Sequence, residues 1–325
     1  MGEKVMNEVK IGFIGCGSFA NRVHYPSLTK MDDVVIAAIC DLNQERLQKT
    51  AAKYRICQTF TDYREMLDRV ELDAVYIIMP PHHLFDVTVD CLNRKLNVFI
   101  EKPPGITRWQ TESMARIAER NGCKTMVGFN RRFIPLMKKV RSMIEERGPM
   151  TLCVATFYKN TIGATEHYYG GAVDILTCDA IHAVDALRWM GGEVKNLSST
   201  VQKLYSNYYN SFVALTKFES GGTGVLLTNW AAGKRVHTFE MHAKGISGFI
   251  DPDRQAVVYT DNSPEGEVFS TSEAAGSDEF HVYSGYYQED RHFIDCIKQD
   301  TLPETHFGDA VKTMELVERI YQEVL

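Results

Sequence analysis

No run of apolar residues in this 325-residue chain approaches the roughly 20 that a helix needs to cross a bilayer, so no membrane partner is expected. The first residues, Met1-Gly2-Glu3-Lys4-Val5-Met6, have no apolar segment of the kind that leads a chain to secretion, and a strand-like run follows almost at once. The expectation is that the mature protein begins here. Basic charge is not in excess either. Lys and Arg number 36 against 42 Asp and Glu, a net charge of −6, whereas nucleic-acid binding calls for a basic face. None of the eight cysteines stands in a Cys-x-x-Cys pair, and several fall inside apolar segments. Scattered thiols suit a reducing compartment better than a disulfide framework, which points to the cytoplasm. Internal repeats and low-complexity tracts are absent as well.

What is present is a change of rhythm part-way along the chain. At 325 residues the length exceeds what one core usually supports, so two domains are expected, 1–128 and 129–325. In the first, short apolar runs at 9–14, 34–40, 74–79, 97–100 and 124–129 alternate with helical patterns at 18–30, 43–54, 63–70, 84–94 and 107–121. That alternation predicts repeated strand–helix–strand units and a doubly wound parallel sheet. In the second, strand-like runs follow one another at 151–158, 194–201, 211–218, 224–229, 238–243, 248–250 and 256–259, with a helix expected over 175–190. This is the pattern of an α+β domain on a large, mostly antiparallel open sheet. The stretch 261–278 is rich in Ser, Gly and Glu and reads as a surface loop; helices at 287–299 and 308–323 close the chain.

Three segments can carry chemistry. The first is Gly12-Phe13-Ile14-Gly15-Cys16-Gly17-Ser18-Phe19-Ala20. Gly15 permits a tight turn, Gly17 lets backbone approach a pyrophosphate, and Ala20 is small enough for helix and strand to pack closely. The helix start then offers unpaired N–H groups to phosphate. Asp41, closing the second strand, can accept hydrogen bonds from a ribose 2′-OH and repels a 2′-phosphate. Leu42, Asn43 and Gln44 follow it, and Arg46 is the nearest basic residue, so NAD is favoured over NADP. The second segment is Glu101-Lys102-Pro103-Pro104, at the carboxyl end of a strand. A lysine there can hydrogen-bond a substrate hydroxyl as hydride leaves, or it can form a strand-end salt bridge. The third is the helix carrying Asp179, His182 and Asp185, three residues apart on one side, while Ala180, Val184 and Leu187 form the core stripe. A histidine flanked by carboxylates suits proton transfer near neutral pH; a capped surface histidine has the same signature.

Together with Gly128-Phe129-Asn130-Arg131-Arg132-Phe133, these segments resemble the Gfo/Idh/MocA oxidoreductases almost end to end. The resemblance implies a Rossmann domain joined to an open-sheet domain, NAD(P), and a sugar-like or cyclitol substrate. It implies that Lys102 lies beside nicotinamide and substrate and that His182 is the acid–base histidine, with Asp179 as a catalytic partner. The cofactor set on this reading is Gly15, Gly17, Ser18, Phe19, Ala20, Asp41, Met79, Pro80, His83, Glu101 and Lys102. The substrate set is Lys102, Arg131, Tyr158, Asp179 and His182. The family pattern commonly has Asp where Cys178 stands and glycine where Ala180 stands, and a histidine where Phe85 stands. His82-His83 suggests a metal only weakly, since adjacent loop side chains rarely converge on one ion, and no metal is expected. Lys159, Glu166, His167, Tyr168 and Tyr169 form a further polar and aromatic set suited to a sugar or to a domain interface.

The expected function is hydride transfer between a nicotinamide and a sugar, sugar-derivative or inositol hydroxyl or carbonyl. Two alternatives stand beside it. An enzyme that retains its NAD would catalyse net elimination, hydrolysis or epimerisation, and a non-catalytic NAD-binding regulator would keep only the cofactor. Alternating apolar residues in the 211–218 and 224–229 strands suggest burial on both faces, so a homodimer or homotetramer through the second-domain sheet is expected.

Overall fold

A computed structural model describes residues 8–164 and 168–325, so Glu166 and His167 lie outside the described residues. The chain divides into two compact units, one of residues 1–129, 280–282 and 286–311, the other of residues 130–279, 283–285 and 312–325.

The first unit is built on six strands, β1 (Val9–Ile14), β2 (Val34–Cys40), β3 (Gln58–Phe60), β4 (Ala74–Ile77), β5 (Asn97–Glu101) and β6 (Thr125–Gly128). All pair in parallel, in the order β3-β2-β1-β4-β5-β6. Strands β1, β4 and β5 are buried on both faces because helices must connect parallel neighbours and so cover the sheet. Phe13, Tyr76 and Phe99 stand opposite one another across these three strands and stack with ring centroids 5.4 and 4.6 Å apart. Tyr25 closes one end of the row, 4.2 Å from Phe13. Each of these rings is fully buried and so removes a large apolar area from water. The strand order reverses at β1, whose neighbours are β2 and β4, which puts the glycine turn at the switch point of the sheet.

The second unit carries an eight-stranded sheet of β7 (Leu152–Asn160), β8 (Val194–Gln202), β9 (Ser211–Phe218), β10 (Thr223–Asn229), β11 (Ala231–Ala243), β12 (Ile246–Asp251), β13 (Gln255–Thr260) and β14 (Glu267–Ser270). The order is β14-β13-β12-β11-β7-β10-β9-β8, with β7 and β10 parallel and every other pair antiparallel. Burial alternates strictly along β9, from Phe212 inward to Val213 outward and so on, because side chains have a period of two. Helices Pro135–Glu146 and Ile181–Gly191 contact the sheet. Its outward row reads Ser198, Leu215, Val225, Val154, Glu240, Phe249, Val257 and Val268 in register across all eight strands. Most of that row is apolar.

Several elements differ from the sequence expectation. The helix expected over 18–30 is two short helices, Ser18–Arg22 and His24–Leu28, broken at Val23. Pro26 explains the break, since its ring would collide with the Arg22 carbonyl of a continuous helix. The helix expected over 175–190 opens with a π-turn, Leu176–Ala180, before Ile181–Gly191. The expected loop 261–278 contains β14 and the helix Thr271–Ala275. A capping box of Ser270 and Glu273 starts that helix, and both side chains satisfy backbone N–H groups there. Strand β3 was not anticipated. With three residues it is too short to show a period.

Candidate functional site

In the first unit, the carboxyl ends of β1, β2, β4 and β5 bring together most of the residues expected to hold a cofactor. Gly15 has φ +116°, and a Cβ there would lie 2.1 Å from the Ile78 carbonyl oxygen, so only glycine fits. This contact seats the turn against the end of β4, next to Met79 and Pro80. At Gly17 a Cβ would meet nothing within 4 Å, which leaves the backbone bare to an approaching phosphate. Gly17 caps the helix Ser18–Arg22, in which Ala20 is fully buried. Asp41 is drawn into the same turn. One carboxylate oxygen accepts the Cys16 N–H at 2.8 Å, and the other accepts the Asn43 N–H at 2.8 Å. Arg46, mostly exposed, approaches the latter oxygen only to 4.0 Å. Burial pushes the Cys16 thiol up to about 11, so this residue is inert at neutral pH.

Glu101 ends β5, with Lys102 following it. One Glu101 oxygen accepts the Lys102 N–H at 3.1 Å, and the other lies 3.1 Å from Nε2 of the buried His24. His83 closes a 3₁₀ turn, Pro81–His83, and is exposed with its ring 4.0 Å from that of His82. Phe85 packs toward Trp109 with ring centroids 5.7 Å apart.

In the second unit, Asp179 lies in the π-turn and is nearly buried, at 8% exposure. Its carboxylate accepts from Lys159 Nζ and from the Tyr168 hydroxyl, which in turn accepts the Trp230 indole N–H at 3.3 Å. Burial, and then the Asp179 charge, hold the Tyr168 hydroxyl far above its ordinary range, so it remains a donor. Asp185, expected to flank His182, is engaged elsewhere. It receives Arg132 through two bonds of 2.8 and 2.5 Å and Thr313 at 2.8 Å, all buried. His182 itself is buried at the start of Ile181–Gly191. His237 stacks on Phe157 at 4.1 Å, and burial and then the charges of Arg131, Arg235 and Lys159 drive its proton off. Arg131 Nη1 reaches its neighbour Asn130 at 2.6 Å. Tyr158 stands apart from this group. Phe157 and Lys159 share one face of β7, so alternation turns Tyr158 to the other, where it lines a shallow groove with Ser211, Leu227 and Asn229.

Residues 9–129 match the model of an oxidoreductase family with an NAD-binding Rossmann fold, Gfo/Idh/MocA. Among curated relatives, a myo-inositol 2-dehydrogenase of Thermotoga maritima is 24% identical over 312 residues, covering 91% of this chain and 90% of its own. The family match is confined to residues 9–129, and over it the chain is similar to the Gfo/Idh/MocA oxidoreductases. Solved structures share its fold. A dehydrogenase from Chromobacterium violaceum superposes with a TM-score of 0.88 at 23% identity over 97% of this chain and 95% of that one. A levoglucosan dehydrogenase solved with NADH and levoglucosan superposes at 0.85 and 17% identity over 97% of each.

Sequence reasoning passed over His24, Asp290 and Trp230 and gave Arg132 no specific role. His24 carried no signal of its own, because its two partners lie 77 and 266 residues away. Arg132 stands in the Gly128–Phe133 motif, but its pairing with Asp185 spans 53 residues. Among the described residues, one group of potential metal ligands converges, His24, Glu101 and Glu289, with ligand atoms within 4.8 Å of one another. Both His24 nitrogens already face carboxylates, which leaves no ring lone pair turned toward a cation.

Proposed function

We propose that this chain transfers hydride between a nicotinamide and a hydroxyl or carbonyl carbon of a sugar, sugar derivative or inositol. The supporting observation is the convergence of Gly15, Gly17, Asp41 and the Glu101-Lys102 pair at the carboxyl ends of adjacent parallel strands. The bare backbone at Gly17 suits a pyrophosphate, and the Asp41 carboxylate suits a ribose 2′-OH more than a 2′-phosphate, which favours NAD over NADP. A bound nicotinamide would accept or supply the hydride. Residues 1–128 would hold it, with Ser18, Phe19, Met79, Pro80 and His83 at its borders, and residues 129–325 would bind substrate.

Lys102 would hydrogen-bond the substrate oxygen and stabilise alkoxide character on it. His182 would take the hydroxyl proton in oxidation and return it in reduction. Asp179, bridging Lys159 and Tyr168, would present a fixed acceptor to a neighbouring sugar hydroxyl, with Arg131 as a further contact; Tyr158, on the other face of β7, is not part of this set. The inositol and levoglucosan dehydrogenases to which the chain is similar support the sugar-like substrate class. Eight free thiols, seven of them buried, support a cytoplasmic location. The apolar outward row of the second-unit sheet, with Leu215 at 57% and Val268 at 55% exposure, supports a homodimer or homotetramer built on that face.

The deciding experiment is NADH formation across sugars, inositols and their acids, with NAD and NADP in parallel, for the natural chain and for Lys102→Ala. Turnover with NAD that Lys102→Ala abolishes, with NAD binding retained, is the expected result. Undiminished turnover in Lys102→Ala overturns the mechanism, and the absence of any net nicotinamide reduction overturns the reaction class.

A further inference from the structure

Among the described residues of the first unit, His24 is the one fully buried histidine with both ring nitrogens against carboxylates. Nδ1 lies 3.0 and 3.2 Å from the two Asp290 oxygens, and Nε2 lies 3.1 Å from Glu101 Oε1. Its ring is enclosed by aromatics, edge-on to Phe99 at 5.1 Å and to Phe19 at 5.9 Å. The residue opens the helix His24–Leu28, whereas Asp290 sits in the helix Tyr286–Gln299 and Glu101 at the end of β5. Three elements distant in sequence therefore meet at one ring.

We propose that His24 is a positioning residue for Lys102: clamped between Asp290 and Glu101, its ring fixes the carboxylate that in turn fixes the Lys102 backbone. This rests on the role proposed above for Lys102. Glu101 has little room to move. Its Oε1 is held by His24, its Oε2 takes the Lys102 N–H at 3.1 Å, and a Cβ on Gly128 of β6 would lie 2.7 Å from Oε1. The neighbouring strand is thus stripped of a side chain where the carboxylate passes.

Charge supports the same assignment. A neutral imidazole has one N–H and cannot donate at both nitrogens. Burial alone would strip the second proton, but the Asp290 and Glu101 charges outweigh it and raise His24 to about 10. Asp290 is itself raised by full burial, its pairing with His24 being the smaller effect. The two groups hold one proton tightly between them, and the Glu101 carboxylate on the far nitrogen favours placing it on the ring. Also facing the cluster are Glu289, the Tyr76 ring at 6.0 Å and the Tyr286 ring at 6.1 Å. With carboxylates in the majority, loss of the imidazolium leaves like charges opposed in a dry interior.

The consequence is kinetic. Without the clamp, Glu101 is free to swing, and Lys102 departs from the substrate oxygen by a fraction of its reach. A displacement near 1 Å at a reacting group costs on the order of 10²-fold in rate. His24→Asn is too short to bridge both carboxylates. It is expected to lower kcat by roughly 10- to 100-fold while leaving NAD affinity unchanged. Added to Lys102→Ala it is expected to lower activity no further, since the clamp acts through that lysine. Glu101→Gln, nearly the same shape, is expected to reproduce the defect and serves if His24→Asn does not fold.

A readout independent of turnover is the ¹⁵N spectrum of histidine-labelled holoprotein at pH 8. One ring is expected in its imidazolium form, and that signal is expected to vanish in His24→Asn. A folded His24→Asn with unchanged kcat overturns the inference, and so does the absence of any imidazolium signal at pH 8. If Lys102→Ala abolishes turnover while His24→Asn does not, only this inference fails. If Lys102→Ala leaves turnover intact, the functional reading itself fails.

Discussion

The two units place their polar residues by different means. In the first, backbone does most of the placing. The tight turn at Gly15 abuts a carbonyl, Gly17 presents bare main chain, and Asp41 is oriented by two N–H groups. In the second, side chains hold one another. Lys159 and Tyr168 grip Asp179, and Arg132 and Thr313 grip Asp185. Main-chain placement needs only a short stretch of suitable residues. Side-chain placement needs partners that the fold must deliver from far along the chain.

Removing Arg132 should produce the largest stability effect. Asp185 is 1% exposed, and without its guanidinium it becomes a buried charge with only a hydroxyl for company. Arg132→Met is expected to cost about 3–5 kcal/mol in chemical denaturation, as breaking one half of a buried pair does. A loss below about 1 kcal/mol, the range of exposed pairs, would show the pair to be far better solvated than its burial implies.

Gly15→Ala should come next, and it sharpens the contrast because its cost is purely steric. The left-handed conformation alone accounts for about 1–3 kcal/mol, and the Ile78 carbonyl clash adds to it. Gly17→Ala meets no such obstacle, so its melting temperature should match the natural chain while NAD binding weakens, as isothermal titration would show. Equal destabilisation by both would break the distinction drawn between the two glycines.

A pH prediction isolates an exception, a buried place where the first unit relies on side chains. His24 is raised from 6.5 to about 10 in the folded state, so its contribution is complete below pH 6.5 and disappears as pH rises through about 10. The natural chain should lose melting temperature across that window in calorimetry, and His24→Asn should lose less. The smallest effect on stability is expected from Leu215→Asp on the outward sheet face. It should leave the fold intact and shift light scattering toward monomer, and an unchanged assembly would remove that face from consideration.

Legibility in the sequence followed the same division. Five of the six parallel strands, the glycine turn and Asp41 were readable because strand period, turn glycines and the following helix are local signals, whereas the three-residue β3 was too short to give one. The break at Val23 was also written locally, in Pro26, but the strength of the helical pattern on either side masked it. In 261–278, polar composition suggested a loop, although Ser270 and Glu273 stand at capping-box spacing. The π-turn under Asp179 left no local mark at all. It accompanies contacts of Asp179 to Lys159 and Tyr168, 20 and 11 residues upstream.

What the amino-acid sequence determined by itself was therefore the chemistry available at each strand end and the alternation that builds a parallel sheet, since both depend on neighbours in the chain. Tertiary structure alone decided who restrains whom. It set Asp290 and Glu101 on opposite sides of His24, gave Asp185 to Arg132 rather than to His182, and turned Tyr158 away from Lys159. The physical reason is that a buried charge must find its partner wherever packing brings one, and packing is a property of the whole fold.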